Sequence, residues 1–277
     1  MGRRLTPILD ARPRAAFLEG HAPGAAHLPL DQWDPRAAEL PPRDDAFEVV
    51  GADALESAAF AARLVERGFA RARAAADPVI ADRAERGPAR QALWRPSGWM
   101  IACADRLPTQ GFALDLACGS GRHAVWLAAR GIASWGIDLL PDAIARARAL
   151  AAAAAALDPS AALRPRAAIA FAVADATLPL PFRPGAFDLV CGFRYLDREL
   201  FGRLANHVAP GGSLVWETFT TEQAQLGRPR RPEFLLAPGE LARLCADAGF
   251  DVLAARETSP PAGPALASVL ARRGRSR

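Results

Sequence analysis

The chain has 277 residues, 51% hydrophobic and 23% charged, which is ample for one large or two modest packed domains and excludes a disordered chain. Its formal charge of +4 comes from arginines spread along the chain, with no lysine, and this spread argues against a nucleic-acid partner. No apolar run reaches the roughly 18–20 residues of a membrane helix, and the N-terminus MGRRLTPILDARPR has no apolar h-region, so a cytoplasmic chain with no membrane partner is expected.

From the N-terminus, residues 7–10 read as a strand, 25–30 as an apolar segment, 47–51 as a strand and 56–67 as a helix. This front segment is short for an independent core. Residues 76–88 mix aspartates, a proline and a glycine with helix formers and read as a connection, predicting domains over 1–80 and 88–277. Beyond it, strands are expected at 112–117, 133–138, 168–174, 186–191, 213–218, 251–257 and 265–271. Helices are expected at 122–130, 141–157, 198–207 and 238–248. Pro141 suits a first helical position, and Gly131 and Gly249 suit the residue after a helix end. Strands separated by helices predict an α/β fold with a parallel sheet covered on both faces. Cys103, Cys118, Cys191 and Cys245 lack metal-type spacing and read as reduced thiols, so no metal site is expected. The arginine cluster in 272–277 reads as a frayed end.

The most informative segment is Leu114-Asp115-Leu116-Ala117-Cys118-Gly119-Ser120-Gly121, in which an apolar strand meets two glycines and a helix begins at once. Missing Cβ atoms let the backbone turn tightly and approach a ligand, with free helix N–H groups at the crevice. Asp138 ends the next strand at the separation where a carboxylate reaches ribose hydroxyls, and Asp175 ends the third. With Asp188 opening the fourth, three acidic residues are expected to ring one sheet edge, although each alone also reads as a solvated strand-end aspartate. The spacing also fits a dinucleotide fingerprint, so an NAD(P)-dependent oxidoreductase and a catalytically lapsed cofactor-binding module stay open as alternatives. Against the dinucleotide, Asp115 would meet a pyrophosphate unfavourably and suits a ligand carrying an ammonium group.

Residues of about 90–272 resemble a class I S-adenosylmethionine-dependent methyltransferase, through LDLACGSG, GIDLLP, VADA, FDLV and APGGSL before VWETF. The resemblance implies a Rossmann-like, seven-stranded sheet, mostly parallel with the last strand antiparallel. It also implies S-adenosyl-L-methionine as cofactor. Asp115 and the backbone of Ala117, Cys118, Gly119 and Gly121 would then hold the methionine moiety. Asp138 with Leu139 would take the ribose, Asp175 and Ala176 the adenine, and Cys191 the path to the sulfonium. Residues 217–241 resemble a small-molecule subgroup described as tellurite- or thiopurine-methyltransferase-like, which implies a small-molecule methyl acceptor with a sulfur or other soft or anionic nucleophile. Candidate catalytic residues lie after the fourth and fifth strands: Tyr195, the only tyrosine, Arg194, whose fork suits an anion, and Glu217. Arg198 lies nearby; His123, Arg95 and Ser97 are further candidates for the cofactor's carboxylate end. Residues 220–236, rich in Arg and Pro, read as a lid.

The front run Asp10-Ala11-Arg12, Phe17 and Gly20-His21-Ala22-Pro23-Gly24-Ala25 resembles a small α/β rhodanese-like domain. In that family a catalytic cysteine stands six residues before the loop serine, Ser57 here, and an arginine stands just before it. This chain has Gly51 and Glu56 at those places. No persulfide can form without the thiol, so a non-catalytic module is expected, with His21 and His27 structural.

Overall fold

In the computed structural model, residues 6–34, 36–75, 84–259 and 264–274 are described. Most of the expected connection at 76–88 and the last three residues of the expected frayed end lie outside them. The chain divides into two compact units, Met1–Arg95 with Arg148–Pro165, and Pro96–Ala147 with Arg166–Arg277.

The first unit holds β1 (Ile8–Asp10), α1 (Arg14–Glu19), β2 (Ala26–His27), β3 (Phe47–Val50), α2 (Ala54–Glu66) and β4 (Ala72–Ala74). Its strands form a parallel sheet in the order β2-β1-β3-β4. Leu9, Phe47 and Val49 from the strands meet Phe60, Ala61 and Leu64 from α2, all buried. Asp53 caps α2 by accepting from the Glu56 amide at 2.8 Å. Asp10, fully buried, is bonded twice by the Arg12 guanidinium, which also donates to the Gly20 carbonyl. This satisfies a charge that burial would otherwise destabilise. His21 and His27 stack on Phe17 and bond the Phe17 and Arg12 carbonyls. The unit also takes in residues up to Arg95 and the segment Arg148–Pro165, which the sequence reading gave to the later domain. Phe17, Ala25, Ala89, Leu157 and Ala161 pack as one cluster, and the Asp158 amide donates to the Ala89 carbonyl.

The second unit contains α3 (Gly98–Ala102), β5 (Phe112–Leu116), α4 (Arg122–Ala129), β6 (Ala133–Asp138), α5 (Pro141–Ala155), β7 (Ile169–Val173), β8 (Phe187–Phe193) and α6 (Arg198–His207). These are followed by β9 (Val208–Phe219), α7 (Gln223–Leu226), α8 (Glu240–Asp247), β10 (Phe250–Thr258) and β11 (Leu266–Arg273). α5 begins in this unit, and its last residues belong to the first. The sheet order is β10-β11-β9-β8-β5-β6-β7, parallel except for β11, which runs antiparallel to both neighbours. This is the seven-stranded, mostly parallel arrangement expected. The central strands read as continuous apolar runs because helices cover both faces. Leu114, Val190, Leu214 and Trp216 are all completely buried. β11 runs antiparallel to β10 because only seven residues separate them, too few for the crossover a parallel neighbour requires. No helix among the described residues is long and apolar enough to cross a membrane.

Candidate functional site

The site lies where β5, β6, β7 and β8 end. After β5 the backbone enters the left-handed region at Ala117 (φ 51°) and returns to it at Gly119 (φ 54°) and Gly121 (φ 73°), after which α4 starts. The two glycines have different reasons. A Cβ on Gly121 would lie 2.8 Å from Phe171 and 2.9 Å from Ala147, so that residue lets α4 pack closely on its neighbours. A Cβ on Gly119 would meet nothing within 4 Å, so the space beside the loop is open. Ala117 is the residue in strain, a conformation that is uncommon outside glycine and clusters at functional sites.

Asp115, one residue before the end of β5, is 1% exposed. Its Oδ1 accepts a long bond from the Cys191 thiol at 3.6 Å, and Oδ2 makes no hydrogen bond of good geometry among the described residues. Burial in this low-dielectric place pushes its pKa up to about 7, against the opposing pull of the Cys191 thiol and the Ala124 amide. Burial likewise raises the thiols of Cys118 and Cys191. Neither is a nucleophile at neutral pH.

Asp138, at the end of β6, accepts from the Gly119 amide and the Leu140 amide, both at 2.9 Å. It therefore braces the glycine loop as well as the entry to α5. Asp175, just beyond β7, accepts from the Thr177 amide at 2.8 Å and hydroxyl at 2.7 Å, which hold its carboxyl below the ordinary value. Next to these carboxylates in sequence, Ala176 is buried and Leu139 is 61% exposed. Asp188 does not join them. It stands near the start of β8 and accepts from the Phe112 amide at 2.9 Å, at the opposite edge of the sheet. In a parallel sheet, strand starts and strand ends lie on different edges, so the expected ring of three is a pair there.

On the other side of β8, Arg194 also has a left-handed backbone (φ 61°), and its amide donates to the Glu217 carbonyl at 2.7 Å. Its guanidinium lies 4.6 Å over the Phe219 ring and 3.9 Å from a Glu217 carboxylate oxygen. Tyr195 is half-buried beside Trp216, whose indole donates to the Tyr195 carbonyl, and burial pushes its phenol up to about 12. Glu217 departs from the expectation of a catalytic group facing substrate. It is buried, with one oxygen accepting from the Ser97 hydroxyl at 2.8 Å and the other from the Ser268 hydroxyl at 3.0 Å. Two serines and a neighbouring arginine make it a brace between α3, β9 and β11. His123 stacks on Phe193 at 3.7 Å and its Nε2 accepts from the Ser97 amide, with desolvation, then Arg122 and Arg194, driving it down to about 3. Ser97 is the N-cap of α3. Arg95 belongs to the first unit, where it pairs with Asp45. Arg198 spends its fork on Glu240 and the carbonyls of Glu233 and Leu235.

Sequence reasoning missed Phe219 and Phe234, which line a cavity of about 280 Å³ with Arg194, Tyr195 and Pro229. The signal was present in the 220–236 segment. Its ends are pinned by a bridge between Thr220 and Leu236, so its interior returns over the end of β9.

In the first unit, the loop before α2 is closed by its own side chains. The Gly51 amide donates to the Ser57 hydroxyl at 2.8 Å, and the Ala52 amide donates to the Glu56 carboxylate. A Cβ on Gly51 would lie 2.8 Å from the Ser57 nitrogen and 2.9 Å from the Glu56 carbonyl carbon. Gly51 offers no nucleophile, and the loop leaves no room for a side chain at that position.

The family model described as "Methyltransferase domain" matches residues 113–212, and the one described as "Rhodanese-like domain" matches residues 1–76. Comparison with curated proteins found no match. Among solved structures, a SAM-dependent methyltransferase from Methanosarcina mazei is 20% identical, with a TM-score of 0.52 over 66% of this chain and 100% of that one. Phosphoethanolamine N-methyltransferase 2 from Haemonchus contortus, in complex with S-adenosyl-L-methionine, is 17% identical, with a TM-score of 0.51 over 65% of this chain and 54% of that one. The PH0226 protein from Pyrococcus horikoshii is 17% identical, with a TM-score of 0.50 over 63% of this chain and 88% of that one. The fold is that of the S-adenosylmethionine-dependent methyltransferases.

Proposed function

We propose that this S-adenosylmethionine-dependent methyltransferase, with its rhodanese-like front module, methylates a small molecule at a sulfur or another soft or anionic atom. The observation that carries the cofactor assignment is Asp115. A buried carboxyl with one oxygen lacking a hydrogen bond of good geometry, beside a left-handed loop bordering open space, fits a ligand ammonium and disfavours a pyrophosphate. In this reading the backbone from Ala117 to Gly121, with Cys118 between, cradles the amino-acid end. Asp138 with Leu139 would take the ribose, Asp175 and Ala176 the adenine, and Cys191 would line the route to the acceptor.

When bound, the sulfonium supplies an electrophilic methyl group and leaves as a neutral thioether. The chain's own residues position and desolvate, and alignment of this kind is worth roughly 7–11 kcal/mol of barrier. Asp115 gives up its proton as it receives the ammonium. His123 at about 3 and Tyr195 at about 12 are poor proton acceptors near neutral pH. An acceptor that arrives already anionic or soft needs none. The likeness of residues 217–241 to tellurite- and thiopurine-type enzymes supports the same class of nucleophile.

The test is calorimetric binding of adenosylhomocysteine against NAD, followed by transfer of labelled methyl to panels of thiols, chalcogen oxyanions, carboxylates and amines. Adenosylhomocysteine binding with turnover of thiols or oxyanions is expected. Turnover of amines alone removes the soft-nucleophile part, and binding of NAD instead removes the whole reading.

A further inference from the structure

We infer that the cavity walled by Arg194, Tyr195, Phe219, Pro229 and Phe234 is the acceptor subsite, and that it selects a flat apolar molecule carrying an anionic group held by Arg194. This deepens the methyltransferase reading above and rests on it.

Arg194 forms the anion-binding end. Its guanidinium makes no hydrogen bond among the described residues, although a guanidinium carries five donors. Its contacts are the Phe219 face and a 3.9 Å approach to Glu217, whose oxygens already accept from Ser97 and Ser268. The side chain is 41% exposed while its neighbour Glu217 is 4% exposed, so the fork is accessible and its counter-charge is not. The left-handed backbone at this residue is held by the bond to the Glu217 carbonyl, and its guanidinium lies over the ring of Phe219, the last residue of β9. The contrast with Arg198 is direct, since that guanidinium is consumed by Glu240 and two carbonyls.

The body of the cavity has the complementary character. Phe219 and Phe234 supply apolar aromatic walls, and Phe234 is 45% exposed, so its ring is accessible to a ligand. At about 280 Å³ the space suits one or two fused rings. The lining side chains include no carboxylate and no imidazole, so a cation there discriminates in favour of an anion and supplies no base. A guanidinium on an aromatic face with free donors is the arrangement that grips a planar carboxylate in two-point fashion. The anionic group is then a handle, and the methyl-accepting atom lies elsewhere on the molecule, toward β8.

The experiment uses the full chain loaded with adenosylhomocysteine and titrated with 2-naphthoate and its neutral counterpart 2-naphthamide. Naphthoate is expected to bind at least tenfold more tightly than the amide. Arg194→Gln brings the two within about twofold, Arg194→Lys leaves an intermediate preference, and Phe234→Ala weakens both alike. Adenosylhomocysteine affinity stays within twofold of wild type in all three variants, which certifies their folding. Equal binding of the two probes, or no binding of either to a loaded protein, overturns the subsite while the methyltransferase reading stands. Failure of adenosylhomocysteine itself to bind takes both down.

Discussion

If Asp115 receives the ligand ammonium as proposed, cofactor affinity depends on pH in a direction that can be worked out in advance. In the free protein burial holds its pKa at about 7, with Asp138, Cys118 and Cys191 around it and no hydrogen bond of good geometry at Oδ2 among the described residues. Opposite a ligand ammonium the carboxylate form is favoured, so binding below pH 7 must expel a proton. With a pKa near 7 the ionised fraction is roughly 0.09 at pH 6 and 0.76 at pH 7.5, so affinity for adenosylhomocysteine should rise about eightfold, or about 1.2 kcal/mol. His123, driven down to about 3, does not titrate in this interval and cannot imitate the effect. Calorimetry at pH 6 and 7.5, in two buffers of different ionisation enthalpy, reads both the affinity and the released proton. Asp115→Asn should flatten the dependence and weaken binding at pH 7.5 by roughly tenfold or more, as loss of a charged hydrogen bond does. A wild-type affinity that is level from pH 6 to 7.5, with no proton exchanged, would refute the assignment of Asp115 to the ammonium.

The same raised pKa predicts the stability of the ligand-free protein. An acid whose folded pKa lies above its unfolded value contributes stability below the unfolded value, and that contribution is lost as pH rises to the folded one, so the urea midpoint should fall from pH 4.5 to 7.5 more steeply in wild type than in Asp115→Asn. Asp138→Ala frees the Gly119 and Leu140 amides and should lower adenosylhomocysteine affinity by roughly 1–3 kcal/mol, with Asp138→Asn in between; titration at constant pH decides it, and unchanged affinity would leave Asp138 a strand-end brace only. Gly51→Cys places a Cβ 2.8 Å from the Ser57 nitrogen, so it should destabilise the first unit by about 1–3 kcal/mol and yield no thiosulfate:cyanide sulfurtransferase activity; a stable, active variant would contradict the closed loop.

Local chain information made part of this protein legible. The strand–glycine–helix turn at 114–122 depends on residues adjacent in sequence, and so do Asp138 and Asp175 at their strand ends, because a βα unit carries its own turn chemistry. That no cysteine stands at position 51, in the loop before α2, needed only the identity of that residue. Short elements such as α1 and β4 are not legible in the sequence, having only 6 and 3 residues and so no measurable period.

Other features depended on which distant residues meet. Asp188 lies at the edge opposite the one the sequence suggests, because strand direction, set by pairing with β5, decides whether a strand-start residue faces the crevice. Glu217 became a brace because Ser97, 120 residues away, and Ser268, 51 away, converge on it. The segment Arg148–Pro165 joined the front unit through Leu157 and Ala161, whose apolar partners Phe17 and Ala25 lie far upstream. Burial and electrostatics are properties of the folded chain: a carboxyl acquires a pKa near 7, and a guanidinium makes no hydrogen bond among the described residues, only after long-range contacts have decided which groups meet.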